Sequence, residues 1–132
     1  MLLLDTNIIS YLLKQDSRAT LYQAILSSDK AHAISLMTVA ELFQWADERQ
    51  WGQPRRQMLE TWLNQNYQIL PLEYAICETW AKIRVECQAK GQRIEVADAW
   101  IAATAIYHQI PLVTHNVKDF RCISQLKLGG PP

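Results

Sequence analysis

MLLLDTN, residues 1–7, is the stretch whose reading decides the fold. Leu2, Leu3 and Leu4 form an unbroken apolar run that ends at a carboxylate, Asp5. A run of this kind predicts a short strand buried on both faces, as inner strands of parallel sheets are. Thr6 and Asn7 are helix N-cap types, and Ile8, Ile9, Leu12 and Leu13 follow at helical spacing. Asp5 is therefore expected at a strand's carboxyl end beside a helix start, where open α/β sheets place their ligand crevices. Taken alone, Asp5 reads more simply as a cap or turn residue. Its partners further along the chain reverse that preference.

Beyond this strand the chain alternates between helix and strand patterns. The first helix is expected from Thr6 to Lys14, and Asp16 or Ser17 can cap a second carrying Leu21, Ala24 and Ile25. HAISL (32–36) reads as a strand, after which Thr38 opens a helix with Val39, Leu42, Phe43 and Ala46 on its apolar stripe. Pro54 suits the first turn of the next helix, and YQILPL (67–72) is a third strand. A long amphipathic helix follows from Glu73 to Lys90, stopped by Gly91 as its C′ residue. Val96 to Tyr107 is a strongly apolar helix, and PLVT (111–114) a buried strand. Strands alternating with helices favour a parallel, three-layer α/β sheet. One domain is expected over 1–128, with 129–132 (GGPP) a short disordered tail.

Composition narrows the functional classes. A chain of 132 residues, nearly half apolar and a fifth charged, suits one soluble globular domain. Thirteen basic residues balance thirteen acidic ones, which argues against a histone-like binder but not against a local basic patch. Cys77, Cys87 and Cys122 make an odd set without C-x-x-C spacing, so reduced thiols and a cytoplasmic protein are expected. His32, His108 and His115 form no H-x-x-x-H pair, which disfavours zinc. No apolar run reaches membrane-spanning length, and a strand beginning at residue 2 leaves no room for a leader.

Carboxylates carry the chemistry. Glu41 lies in TVAEL, where Thr38 and Glu41 fit a capping box. At about 100° per residue, however, Glu41 falls away from the helix's apolar stripe and can look along the sheet top. Asp98, in EVADAWIAATAIY, is different: Ile101, Ala102 and Ala105 place it at the head of the apolar stripe. A carboxylate there must be paired, metal-bound or at a cleft mouth, because burying it bare costs several kcal/mol. The alternative is a first-turn acid complementing the helix dipole. VTHNVKDF then supplies Thr114, Asn116 and Asp119 after the last strand, otherwise an ordinary polar turn. With parallel strands, Asp5, Glu41, Asp98 and the Asn116/Asp119 pair gather on one sheet edge. Such an all-oxygen set suits Mg²⁺, or Mn²⁺, which can activate water and neutralise a phosphodiester's developing charge.

In order and spacing, Asp5-Thr6-Asn7, the Thr38–Leu42 and Ala97–Ala105 segments, and Leu112–Asn116 with Asp119-Phe120 resemble PIN-domain proteins of the VapC toxin type. The resemblance covers essentially the whole chain. It implies a three-layer Rossmann-like domain whose parallel sheet has four to five strands. It also implies a metal-dependent endoribonuclease acting on structured RNA such as tRNA or rRNA. A homodimer held inactive by a small VapB-type antitoxin is implied as well. Asp5, Glu41 and Asp98 match the family's three core acids; the fourth position is Asn116, with Asp119 the other candidate. Thr6, Asn7, Arg93, Thr114 and Lys118 are candidates for holding substrate.

Further expectations concern what flanks these residues. Lys90, Arg93 and Lys118 border the Asp98 and Asn116 segments and are candidate phosphate contacts. Tyr11, Trp45 and Trp51 lie at or beyond the margins of their helices' core stripes, as residues of a partner groove would. Two alternative functions stand beside the nuclease. A receiver-like phosphoacceptor would need an aspartate ending the third strand, and YQILPLE has none. A catalytically idle scaffold that only binds RNA or protein would use the same fold.

Overall fold

Leu2–Leu4 form the central strand, β1, of the computed structural model, which describes residues 1–29 and 31–129. It lies between β2 (His32–Ser35) and β4 (Leu112–Val113), with β3 (Gln68–Leu70) and β5 (Leu128–Gly129) on the outer edges. The order is β3-β2-β1-β4-β5 and every pairing is parallel. The chain thus winds outward from β1 to β3, then returns to β1's other side to lay down β4. The reversal opens a crevice between the carboxyl ends of β1 and β4, the usual ligand position in such sheets.

Alternation along β1 explains the three layers. Leu2 and Leu4 join Ile34 and Val113 beneath α1 (Thr6–Leu13), α3 (Leu36–Glu48) and α4 (Gln53–Asn66), through Ile8, Ile9, Leu42, Leu59 and Leu63. Leu3 points the other way, joining Ala33 and Leu112 against α5 (Tyr74–Ala89) and α6 (Val96–His108). Ala99, Ala102, Ala103 and Ala105 are all fully buried, so α6 lies close against the sheet, as its small residues allow. Burial of these apolar side chains, at about 25 cal/mol per Å², is the main stabilising contribution.

Several expectations change in detail. Asp16 caps a 3₁₀ helix, Ser17–Tyr22, before the short α2 (Gln23–Ser28). Ser35 rather than Thr38 caps α3, its side chain accepting the Met37 N–H at 3.1 Å. Thr38 is consequently buried inside the first turn, and the capping-box reading of Glu41 fails. Gly91 ends α5 as expected, with φ +72°. Gly129, expected in a loose tail, belongs to β5 opposite Val113; Gly130–Pro132, the rest of that tail, lie outside the described residues. Cys87 and Cys122 form a disulfide, correcting the expectation of three reduced thiols. The end of α5 and the segment after the last 3₁₀ turn bury both sulfurs against one another, a proximity that 35 residues of separation conceal. Cys77 stays free and exposed. Among the described residues no helix is long and apolar enough to cross a membrane.

Candidate active site

Asp5 stands at the end of β1, only 5% exposed, and has two attachments. Its Oδ1 accepts the Thr6 N–H at 2.8 Å, making it the N-cap of α1. Its Oδ2 accepts the Thr114 hydroxyl at 2.7 Å from the end of β4, across the switch-point crevice. Both readings of Asp5, cap and crevice residue, therefore hold at once. Burial raises its pKa to about 6 despite these two hydrogen bonds, with the Glu41 and Asp119 charges adding to the rise.

Glu41 approaches from α3. Its Oε1 accepts the Thr6 hydroxyl at 2.7 Å, and Thr6 Oγ1 is also 3.0 Å from Thr38 Oγ1. Asp98 enters from the first turn of α6. Burial, then the charges of Asp5, Glu41, Asp119 and Glu95, push its pKa up to about 7. Asp98 has no hydrogen-bond or ion-pair partner among the described residues, unlike Asp5 and Glu41. Asp119 comes from a 3₁₀ turn, Val117–Phe120, and its charge acts on both Asp5 and Asp98. Asn116, at that turn's start, is exposed; its N–H donates to Thr114 Oγ1 at 3.1 Å.

Four acids thus share one electrostatic neighbourhood at the carboxyl edge of the sheet. Among the described residues no three His, Cys, Asp or Glu side chains are gathered closely enough to hold an ion as they stand. The donor chemistry nevertheless suits a hard cation: carboxylate oxygens only, mutually repelling, with the side chains of Asp98 and Asp119 unpartnered among the described residues. Asp5 and Glu41, held by their hydrogen bonds, are the residues that could hold one together with Asp98, whose unbonded side chain is free to turn toward them, and Asp119 beside them.

The surrounding residues have mixed placements. Asn7 Oδ1 accepts the His115 N–H at 3.4 Å, and the His115 Nδ1 lies 2.5 Å from the hydroxyl of the fully buried Tyr22. Tyr11 meets the same ring edge-on at 5.3 Å. Arg93 and Lys118 are exposed. Lys90 pairs with Glu86 at 3.0 Å and donates to Cys122 O at 2.9 Å, so it is committed to the fold. The residues that sequence reasoning missed are Thr38 as a site neighbour, Tyr22, and Thr104. Thr104 is buried on α6, 3.4 Å from Ser35 Oγ at the end of β2. A lone hydroxyl residue inside an alanine-rich stripe was the available signal for it.

A second concavity lies between α1, α3 and α4. Leu12, Leu13, Trp45, Trp51, Met58 and Trp62 line it. Cations rim the same rings: Lys14 Nζ is 4.4 Å from the Trp45 ring centroid, and the Arg49 and Arg55 guanidinium carbons lie 4.8 Å and 3.8 Å from Trp45 and Trp51. The aromatic pair foreseen at this surface, Trp45 and Trp51, thus lines a groove, whereas Tyr11 is buried beside His115.

Comparison with known proteins agrees with this architecture. The PIN domain family matches residues 2–124. Ribonuclease VapC1 of Haemophilus influenzae (strain R2866) is 32% identical over 127 residues, spanning 95% of this chain and 93% of the relative. Toxin FitB of Neisseria gonorrhoeae is 30% identical over 128 residues, 91% of each protein. Among solved structures, VapBC2 from Rickettsia felis bound to a promoter DNA fragment superposes with a TM-score of 0.84 at 27% identity, covering 98% of this chain and 97% of that one. VapBC-1 from nontypeable Haemophilus influenzae gives a TM-score of 0.81 at 30% identity, covering 98% and 96%. A switch-point crevice ringed by acids, on a sheet shared with these relatives, makes this chain a PIN-domain protein of the VapC type.

Proposed function

We propose that this chain is a Mg²⁺- or Mn²⁺-dependent endoribonuclease, the toxin half of a toxin–antitoxin pair, cutting structured RNA such as tRNA or rRNA. The observation that carries this reading is Asp98: a partly buried, unpartnered carboxyl under the charges of Asp5, Glu41 and Asp119. Such an arrangement stabilises the metal-free fold poorly and suits a site that binds a divalent cation. A cation held there by Asp5, Glu41 and Asp98 would polarise a water for attack and screen the phosphate charge. The chain's own residues do the rest. Thr114 and the Thr6 N–H fix both oxygens of Asp5, while the Thr6 hydroxyl holds Glu41, so two carboxylates keep fixed orientations. Asp98, free to turn, and Asp119 complete the anionic wall. Asn116, the candidate for the fourth position, and Lys118, the candidate for holding substrate, are both exposed on the adjacent turn.

The partner in this reading is a VapB-type antitoxin. Support comes from the aromatic groove beside α1, α3 and α4 and from the relatives solved as VapBC complexes. A homodimer belongs to the same proposal, and light scattering at twice the chain's mass checks it.

Cleavage of total tRNA by metal-stripped protein should appear on adding Mg²⁺ or Mn²⁺, vanish in EDTA, and be lost in Asp98→Asn. Mg²⁺ should also stabilise the wild-type protein by RT ln(1 + [L]/Kd), about 2.7 kcal/mol at a hundredfold excess over Kd, and so raise its melting temperature. Undiminished cutting in chelator sinks the mechanism. A pure, folded protein that binds RNA but never cuts it, with any divalent cation, leaves the idle scaffold instead.

A further inference from the structure

An acidic crevice repels the polyanion it is to cut, so cations must flank it. Of the three expected, Lys90 is occupied by Glu86 and a backbone carbonyl. A different cation stands close by. A cleft of about 390 Å³ runs between the end of α5 and the loop leading to α6, lined by Arg84, Gln88, Gly91, Gln92, Arg93 and Ile94.

Arg84 is fixed in this cleft from two sides. Its Nη1 donates to Ile94 O at 2.6 Å, and its guanidinium carbon lies 5.5 Å from the Trp80 ring centroid. Trp80 in turn stacks on Trp100 at 5.0 Å and donates its indole N–H to Val96 O at 3.4 Å. Neither Arg84 nor Arg93 pairs with a carboxylate among the described residues, although five other cationic groups do. Gly91, at φ +72°, presents no side chain to the cleft, and a Cβ there would meet nothing within 4 Å.

The cleft is tied to the carboxylates by two short links. Gln92 Nε2 donates to Lys118 O at 3.1 Å and to Asp119 O at 3.2 Å, holding the loop against the turn that bears Asp119. Val96 O, which receives the Trp80 indole, lies two residues before Asp98. These links hold the Arg84–Arg93 cleft beside the turn that bears Asp119 and the helix start that bears Asp98. A rigidly held guanidinium with free N–H groups matches a phosphate's oxygens in a way an ammonium does not.

We propose that the Arg84–Arg93 cleft is a phosphate subsite, binding a backbone phosphate of the RNA next to the one presented to the carboxylates. The assignment rests on the ribonuclease reading above. Fluorescein-labelled total tRNA, the substrate of the ribonuclease reading, is the probe, with cleavage kinetics at several salt concentrations. Wild type is compared with Arg93→Gln, Arg84→Gln/Arg93→Gln and Lys127→Gln. Lys127 precedes β5, at the opposite sheet edge, and serves as the equal-charge control. The double variant should raise KM roughly tenfold with kcat nearly unchanged. Its log–log salt slope should become shallower by about 0.7 for each phosphate that the protein no longer neutralises. Lys127→Gln should move neither quantity. Because Arg84 also braces Ile94, Arg93→Gln, whose side chain is exposed, keeps the test valid if the double variant unfolds. Wild-type KM and slope in Arg93→Gln, or equal shifts in Lys127→Gln, overturn the subsite while leaving the nuclease standing. A wild-type protein that neither binds nor cuts the RNA overturns both.

Discussion

Thr114 Oγ1 donates to Asp5 Oδ2 at 2.7 Å, joining the ends of β4 and β1 through side chains as well as through the sheet. The same oxygen accepts the Asn116 N–H at 3.1 Å, so one hydroxyl orients a buried carboxylate and the turn beside it. Thr114→Val keeps the shape and removes both bonds. Stability should fall by about 1.5–3 kcal/mol at neutral pH, the range for a hydrogen bond to a charged group. The hydrogen bond lowers the Asp5 pKa, so its loss should lift that pKa above about 6 and move the acid limb of the pH–rate profile upward. A valine variant with an unmoved acid limb would show that Asp5 does not depend on Thr114.

Asp98 titrates in the opposite sense to a salt-bridged acid. Its pKa is raised from the ordinary aspartate value of 3.8 to about 7, so between those limits the folded state holds a proton the unfolded chain has lost. Stability from this group is fully present below the lower limit and is lost as pH rises toward 7. Asp98→Asn removes the penalty. In metal-free buffer it should melt several degrees above wild type at pH 7.5 and close to it at pH 4, taking about 4 °C per kcal/mol for a domain this size. A variant that melts lower than wild type at pH 7.5 would favour a helix-dipole role for Asp98.

The groove between α1, α3 and α4 carries three tryptophans and three cations. Truncating an aromatic anchor in such a setting commonly weakens binding by about 2 kcal/mol or more. Trp45→Ala should therefore reduce affinity for the proposed VapB-type antitoxin by about thirtyfold, while RNA cleavage by the free protein persists. Arg49→Gln with Arg55→Gln should mainly slow association and flatten its salt dependence. Surface plasmon resonance separates the two effects, and an unchanged affinity for Trp45→Ala removes this groove from the interface.

The Cys87–Cys122 bond closes a loop of about 35 residues that contains all of α6. Chain-entropy arguments assign such a loop about 3–4 kcal/mol. Reductant should lower the melting temperature markedly, and Cys87→Ser/Cys122→Ser should reproduce the drop in oxidising buffer. Thiol titration of the unreduced, denatured protein should find one reactive cysteine, Cys77. Three would refute the bond.

Most of the fold was legible because its elements obey single local rules. Apolar runs ended by polar residues marked β1, β2 and β4, and Gly91 stopped α5 where expected. Two residues of β5 were not, since Leu128-Gly129 has no strand pattern and is ordered only by pairing with β4. The candidate site was legible as an acid at a strand end, Asp5, and an acid at the head of a helix's apolar stripe, Asp98. Pairings between distant segments were not. Thr6 with Glu41, Gln92 with the Asp119 turn, and Cys87 with Cys122 each depend on how layers meet, which no local spacing encodes. The choice between capping box and site residue for Glu41 turned on a shift of three residues in the start of α3, from Thr38 to a Ser35 cap.

The sheet order has a consequence for how the chain is made. β1 is the first strand synthesised, yet its partner on one side is β4, and β4's outer edge is closed only by β5, through bonds such as Thr114 N–H to Gly129 O at 3.3 Å. Asp5 thus waits for a hydroxyl 109 residues downstream. Contacts so far apart in sequence form late, because the loop entropy must be met before they stabilise anything. A ribosome still decoding the segment before Leu128 carries a nascent chain whose carboxylates are present but not assembled. Order of synthesis therefore delays the completed crevice until β4 and β5 have followed β1 out of the ribosome.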